Sequence, residues 1–82
     1  MVIIGEHNFT VVNVNDSDNI SFTYELFKII LQVTTPYGSS QKYELSSGTD
    51  VYKAMNVLKQ ASYLLSQKAE IIDFNKLLYG EN

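Results

Sequence analysis

Short runs of β-branched and aromatic residues, punctuated by turn formers, fill the first half of the chain, and a stretch free of Pro and Gly fills most of the second. Val2, Ile3 and Ile4 form one apolar run and residues 9–14 another. Gly5, Glu6, His7 and Asn8 between them predict a hairpin with a four-residue connection. Five consecutive turn formers at 15–19 close the second strand.

Residues 20–35 admit two readings. As a strand, Ile20, Phe22, Tyr24 and Leu26 share one face, but from Phe27 onward the apolar set moves to the other face. Such a slip predicts a bulge near Leu26 and Phe27, or a central strand covered on both sides. As a helix, Phe22, Leu26, Ile29, Ile30 and Val33 form a stripe, with Asp18 as its cap. The β-branched and aromatic content and the extended approach to Pro36 favour the strand.

Gly38, Ser39, Ser40, Gln41 and Lys42 have the look of a phosphate cradle. That chemistry needs glycines and backbone N–H groups at the start of a helix that follows a strand, with Lys and Ser or Thr at its entrance. Here a single Gly is present, and Tyr43 and Leu45 alternate as in a strand. Thr35, Pro36, Tyr37 and Gly38 instead fit a turn with Pro at its second position and Gly at its fourth. The segment is read as a hairpin tip.

A helix opens after Ser46, with Ser47 or Thr49 as its cap and Asp50 in its first turn, and Gly80 stands where a C-terminal cap would. Apolar pairs recur every seven residues at Val57 and Leu58, Leu64 and Leu65, Ile71 and Ile72, and Leu78 and Tyr79. One helix over 50–79 would span ~45 Å, against a radius of gyration near ~12 Å for a chain this long. Either the helix breaks, most plausibly over the polar residues 66–70, or its second half projects into another subunit. In the projecting case Leu65, Ile71, Ile72, Phe74, Leu77 and Leu78 are the seam. The break is favoured, with homo-oligomerisation still expected as an alternative. On the opposite side of the helix, Tyr52, Asn56, Lys59 and Tyr63 fall at i, i+4, i+7 and i+11, a candidate partner-binding stripe.

These elements predict an α+β fold: an antiparallel sheet of about four strands (2–46) covered by a long or broken C-terminal helix (49–79). Residues 1–82 are expected to form one small domain without linker, targeting or transmembrane segment, because the N-terminal apolar run stops at Gly5 and no run approaches the ~20 residues of a membrane span. The sequence contains no Cys, which excludes disulfides and thiolate chemistry and suits a reducing cytoplasm.

Charge narrows the classes of function. Nine acids face six bases, all Lys, for a net charge of −3. Without Arg or a basic run, direct nucleic-acid binding is disfavoured. The acids are dispersed, which weakens the converse idea of DNA mimicry. Lys without Arg, together with seven Asn, seven Ile and six Tyr, is what A/T-rich codons supply.

Chemistry is sparse. His7 is the sole histidine and is read as a solvated turn residue, with Glu6 pointing away from it. An EF-hand starting at Asp16 would need an oxygen ligand at Ile20, Gly at Ser21 and Glu at Phe27, so an Asx-rich turn is expected and no metal or cofactor site. No GxSxG or SxxK motif occurs. The chain is therefore expected not to be an enzyme. Its small acidic sheet-then-helix pattern in a Lys-only chain resembles the general style of short phage or mobile-element proteins, some of which, anti-CRISPR proteins among them, inhibit host defence by surface binding. The resemblance covers the overall pattern and transfers no residues. It implies a protein-binding inhibitor acting by occlusion; the alternative is a structural or virion-assembly subunit joined through the C-terminal helix.

Overall fold

A computed structural model describes residues 1–80. The strands are β1 (Val2–Ile4), β2 (Val11–Asn13), β3 (Asn19–Glu25), β4 (Lys28–Thr34), β5 (Ser40–Ser46) and β6 (Ile71–Asp73). The helices are α1 (Val51–Ser66) and α2 (Phe74–Tyr79). The fold is α+β, as the patterning predicts, but six strands in two three-stranded sheets replace one sheet of about four: β2-β1-β6 and β3-β4-β5. No helix of the described residues is long and apolar enough to cross a membrane.

The extra strands come from two segments whose periodicity misled. Residues 20–35 are a hairpin rather than one bulged strand or a helix. Leu26 and Phe27 form its two-residue turn, both in the left-handed region at φ 52° and 63°. A turn reverses the chain and resets the alternation, so the apparent change of face is a change of strand. Ile20, Phe22 and Tyr24 then lie opposite Val33, Leu31 and Ile29 on one face, packed toward the core. The second case is Ile71 and Ile72. The seven-residue repeat treats them as helical neighbours, but in β6 they point to opposite sides. Ile72 is fully buried and Ile71 is 58% exposed.

The next hairpin forms as predicted. Gly38 donates its N–H to the Thr35 carbonyl at 3.0 Å, Thr35 donates to Ser39 at 2.8 Å, and Gly38 takes φ 91°. This is a turn closed by a glycine bulge, which needs a residue without Cβ at that position.

The break in the long helix also falls within 66–70. Nothing there is Gly or Pro, yet the helix ends in a Schellman motif: Ala69 donates to the Leu64 carbonyl and Lys68 to that of Leu65, each at 3.1 Å. Lys68 occupies the left-handed position usually given to Gly, at φ 55°. The start is capped by Asp50, whose Oδ1 accepts from the Lys53 N–H at 2.9 Å, rather than by Ser47 or Thr49. Thr49 instead buries its hydroxyl against Ser46, 2.8 Å away. Gly80 ends α2 in the predicted left-handed cap.

β6 returns to β1 and pairs parallel to it, Ile3 beside Ile72 and Val2 beside Ile71, while β2 pairs antiparallel on the other side. The two sheets meet where Gly5 passes β5. A Cβ on Gly5 would stand 3.1 Å from the Leu45 carbonyl oxygen and 3.2 Å from the Thr10 Cβ. The core between sheets and helices holds Ile3, Ile29, Leu31, Leu45, Val57 and Phe74, with Ala54 and Ala61 letting α1 approach closely.

That core absorbs much of the proposed seam. Ile72, Phe74 and Leu78 are buried within the chain, and Leu65 and Leu77 are partly buried against the same core. Those five are committed to intramolecular packing. Only Ile71 of the six seam candidates stays exposed.

Candidate protein-binding surface

α1 presents two faces of opposite character. Ala54, Val57 and Ala61 are buried, and about 180° away around the helix Tyr52, Asn56, Lys59 and Tyr63 all face solvent. Tyr52 is 78% exposed and Tyr63 63%. Eleven residues apart, the two phenols are separated by ~16 Å along the axis. The predicted stripe is therefore assembled on one exposed face, with tyrosine's large area and polar tip available at each end.

At the start of α1 a second apolar feature was not recognised from sequence. The β3-β4 turn holds Leu26 85% exposed and Phe27 65% exposed. The Phe27 carbonyl accepts from the Thr49 N–H at 2.9 Å, and the Thr49 carbonyl accepts from the Tyr24 hydroxyl at 2.6 Å. Thr49 thus clamps the hairpin tip to the end of the molecule that carries Tyr52. Two-residue turns with positive φ at both positions favour Asn-Gly, and a bulky residue in the left-handed region is an outlier. The legible signal was the change of face itself, which a tight turn explains as well as a bulge does.

The polar groups gather elsewhere, around the turn Glu6–Asn8. The Tyr79 hydroxyl donates to Glu6 Oε2, and the Ser47 N–H reaches Glu6 Oε1 at 3.4 Å. This hydrogen bond, with some desolvation and the Glu6 charge, raises the Tyr79 pKa above its ordinary value. His7 does not stand apart from Glu6 as expected: its Nε2 lies 3.8 Å from Glu6 Oε2, and its ring stacks on Tyr79 at 5.9 Å. Its turn position and exposure agree with the sequence reading. His7 and Asn8 both take positive φ, held by Asn75, whose Oδ1 accepts from the His7 N–H and whose Nδ2 donates to the Gly5 carbonyl and Asn8 Oδ1. Lys53 Nζ sits 4.9 Å above the Tyr79 ring. The Tyr79–Glu6, Asn75–His7 and Lys53–Tyr79 contacts tie α2 to the first turn and to α1, and among the described residues no serine or threonine hydroxyl is hydrogen-bonded to His7. The arrangement is a clasp between the chain's two ends.

Asn15 and Asp18 close their turn reciprocally: Asp18 N–H to the Asn15 carbonyl at 3.0 Å, and Asn15 N–H to Asp18 Oδ2 at 3.2 Å. Among the described residues no group of three or more metal-ligating side chains could hold an ion. An open cleft of about 530 Å³ lies between this turn and the 67–70 connection, with Ile20 and Leu65 in its walls. Compared with known proteins, the chain matches no family model, no curated protein and no solved structure.

Proposed function

We propose that this chain is a non-catalytic protein-binding module that acts by covering a partner's surface. The observation that carries the reading is the β3-β4 turn. Leu26 and Phe27 are kept in a conformation that disfavours them and at a position where they contribute little to the core. Residues held in such conformations cluster at functional sites. The tip and the Tyr52/Tyr63 stripe supply rigid apolar anchors, the side chains that dominate interface energetics. The polar groups around Glu6, by contrast, are largely used within the chain, where they tie α2 to the first turn.

In its specific form the proposal is an inhibitor carried by a phage or mobile element, acting in the cytoplasm on a host defence protein. The Lys-only, Asn- and Tyr-rich composition and the net charge of −3 support it, the charge suiting a basic partner surface. An assembly subunit joined through its C-terminal helix is less supported, because most of that seam is used within the chain.

The test pairs capture with direct binding. A partner retained by the wild-type chain from host lysate is purified and titrated against wild type, Tyr52→Ala/Tyr63→Ala and Leu26→Asn/Phe27→Gly. Loss of at least tenfold in affinity without a fall in melting temperature supports the surface. Unchanged affinity in both variants overturns it.

A further inference from the structure

Of the four sheet edges, β2 and β6 are three residues long, and β5 is approached by the first sheet, where the Thr10 hydroxyl donates to the Glu44 carbonyl at 3.0 Å. β5 also has a register shift opposite Ile29 and Ile30. β3 differs. It has seven residues with no Pro, Lys or bulge, and its one charge, Glu25, stands at the turn end, so few of the devices that blunt an edge are present.

Its free groups follow from the turn. A two-residue hairpin makes Glu25 and Lys28 a hydrogen-bonded pair, and alternation extends this to Thr23 with Ile30, Ser21 with Gln32 and Asn19 with Thr34. The N–H and C=O groups of Ile20, Phe22 and Tyr24 therefore point away from β4, and among the described residues no backbone bond satisfies them. Their side chains are half-buried, whereas Ile29 and Leu31 beside them on β4 are fully buried.

We propose that β3 pairs antiparallel with β3 of a second copy, about a two-fold axis at Phe22, to make one continuous six-stranded sheet. A two-fold at Phe22 uses all three outward-pointing residues, pairing Phe22 with Phe22 and Ile20 with Tyr24 as bonded pairs. Two observations select a second copy. First, the solvent-face pairs are compatible. Ser21 meets Thr23, and Glu25, the strand's one charge, meets Asn19 rather than another carboxylate. Second, α1 offers an apolar flank on the same side. Lys53 lies over Tyr79 of α2, so Val51, Met55 and Leu58, some 140–200° further round the helix, lie on the flank away from α2. Leu65 of that flank shares the cleft wall with Ile20 of β3. Val51 and Met55 are exposed and Leu58 is half-buried, and a two-fold mate would cover them together with the strand edge. The dimer surface adjoins the Leu26/Phe27 tip at the end of β3 but uses neither the tip nor the Tyr52/Tyr63 stripe, and the variants below change only residues 21 and 23, so failure of the dimer and failure of the partner proposal remain distinguishable.

The test uses two double variants at the exposed positions 21 and 23. Light scattering and sedimentation of the wild-type chain across a hundredfold dilution series should show a reversible monomer–dimer equilibrium. Ser21→Lys/Thr23→Lys sets like charges opposite each other twice per dimer and should weaken it about three- to thirtyfold. Ser21→Glu/Thr23→Lys sets opposite charges there and should dimerise at least as tightly as wild type. Hydrogen exchange on the wild-type chain is the variant-free check: the Ile20, Phe22 and Tyr24 amides should become protected as concentration rises. A wild-type chain that stays monomeric to about millimolar concentration overturns the proposal. So does dimerisation to which both variants respond alike, or in which those three amides exchange at a concentration-independent rate.

Discussion

Ile3 of β1 and Ile72 of β6 lie side by side in a parallel register, both fully buried, although 68 intervening residues separate them in the chain. This pair joins the first strand to the last. The Ile72→Asp change tests whether β6 serves the chain or a subunit contact. Burying a carboxylate there without a partner should abolish cooperative folding, and Ile72→Ala should cost about 2–5 kcal/mol. Denaturant unfolding checks both; a folded, dissociated Ile72→Asp chain would instead return the residue to a subunit seam.

Leu26 and Phe27 invite the opposite kind of change. Asn-Gly is the preferred occupant of a turn with two positive φ values, so Leu26→Asn/Phe27→Gly should stabilise the fold by about 1 kcal/mol. Thermal unfolding should rise by roughly 4–8 °C for a chain of this size. A lower melting temperature would mean that the exposed side chains make folding contacts after all.

Gly5 stands against Leu45 for lack of a Cβ rather than for backbone freedom, since its own φ is an ordinary −85°. Two of the neighbours a methyl would meet are backbone atoms of Leu45, which cannot rotate aside. Gly5→Ala should destabilise by roughly 1–3 kcal/mol, measured by denaturant unfolding; an unchanged midpoint would show that the two sheets can slide apart without cost.

Tyr79 links stability to alkaline pH. Its phenol donates to Glu6, so the folded state holds the proton to higher pH than an unfolded tyrosine, whose pKa is about 10. The native state then binds more protons in the alkaline range, and stability falls with rising pH there. The contribution is complete below the unfolded pKa and is lost as pH rises through the folded one. Ultraviolet phenolate titration should show a late-titrating phenol that disappears in Tyr79→Phe and moves back toward the ordinary range in Glu6→Ala, which removes both the acceptor and the charge. Persistence of the late phenol in Glu6→Ala would assign the shift to burial instead.

Legibility in the sequence tracked how local each cause was. The 35–39 turn and the Gly80 cap depend on residues beside one another, and both stand where the sequence placed them. The hairpin at Leu26 and Phe27 escaped because its residues are wrong for the turn they make. Its geometry is imposed by seven cross-strand pairs from Asn19–Thr34 to Glu25–Lys28. The Schellman stop at Lys68 similarly uses a residue poorly suited to its conformation. The tyrosine stripe was legible because opposite faces of a helix follow from the 3.6-residue period alone.

By itself, then, the order of apolar and polar residues determined an α+β chain with its long helix in the second half and Tyr52 and Tyr63 on the polar side of that helix, and it favoured a stop within 66–70 over a continuous helix. It could not decide what Ile71 to Leu78 pack against. A seven-residue apolar repeat serves a helix seam, a core helix or a strand and short helix equally well until a partner is specified. β1, far away in sequence, is that partner. Burying Ile72 beside Ile3 and Phe74 beneath Phe22 outweighs the helical continuity that local propensity would have extended through them.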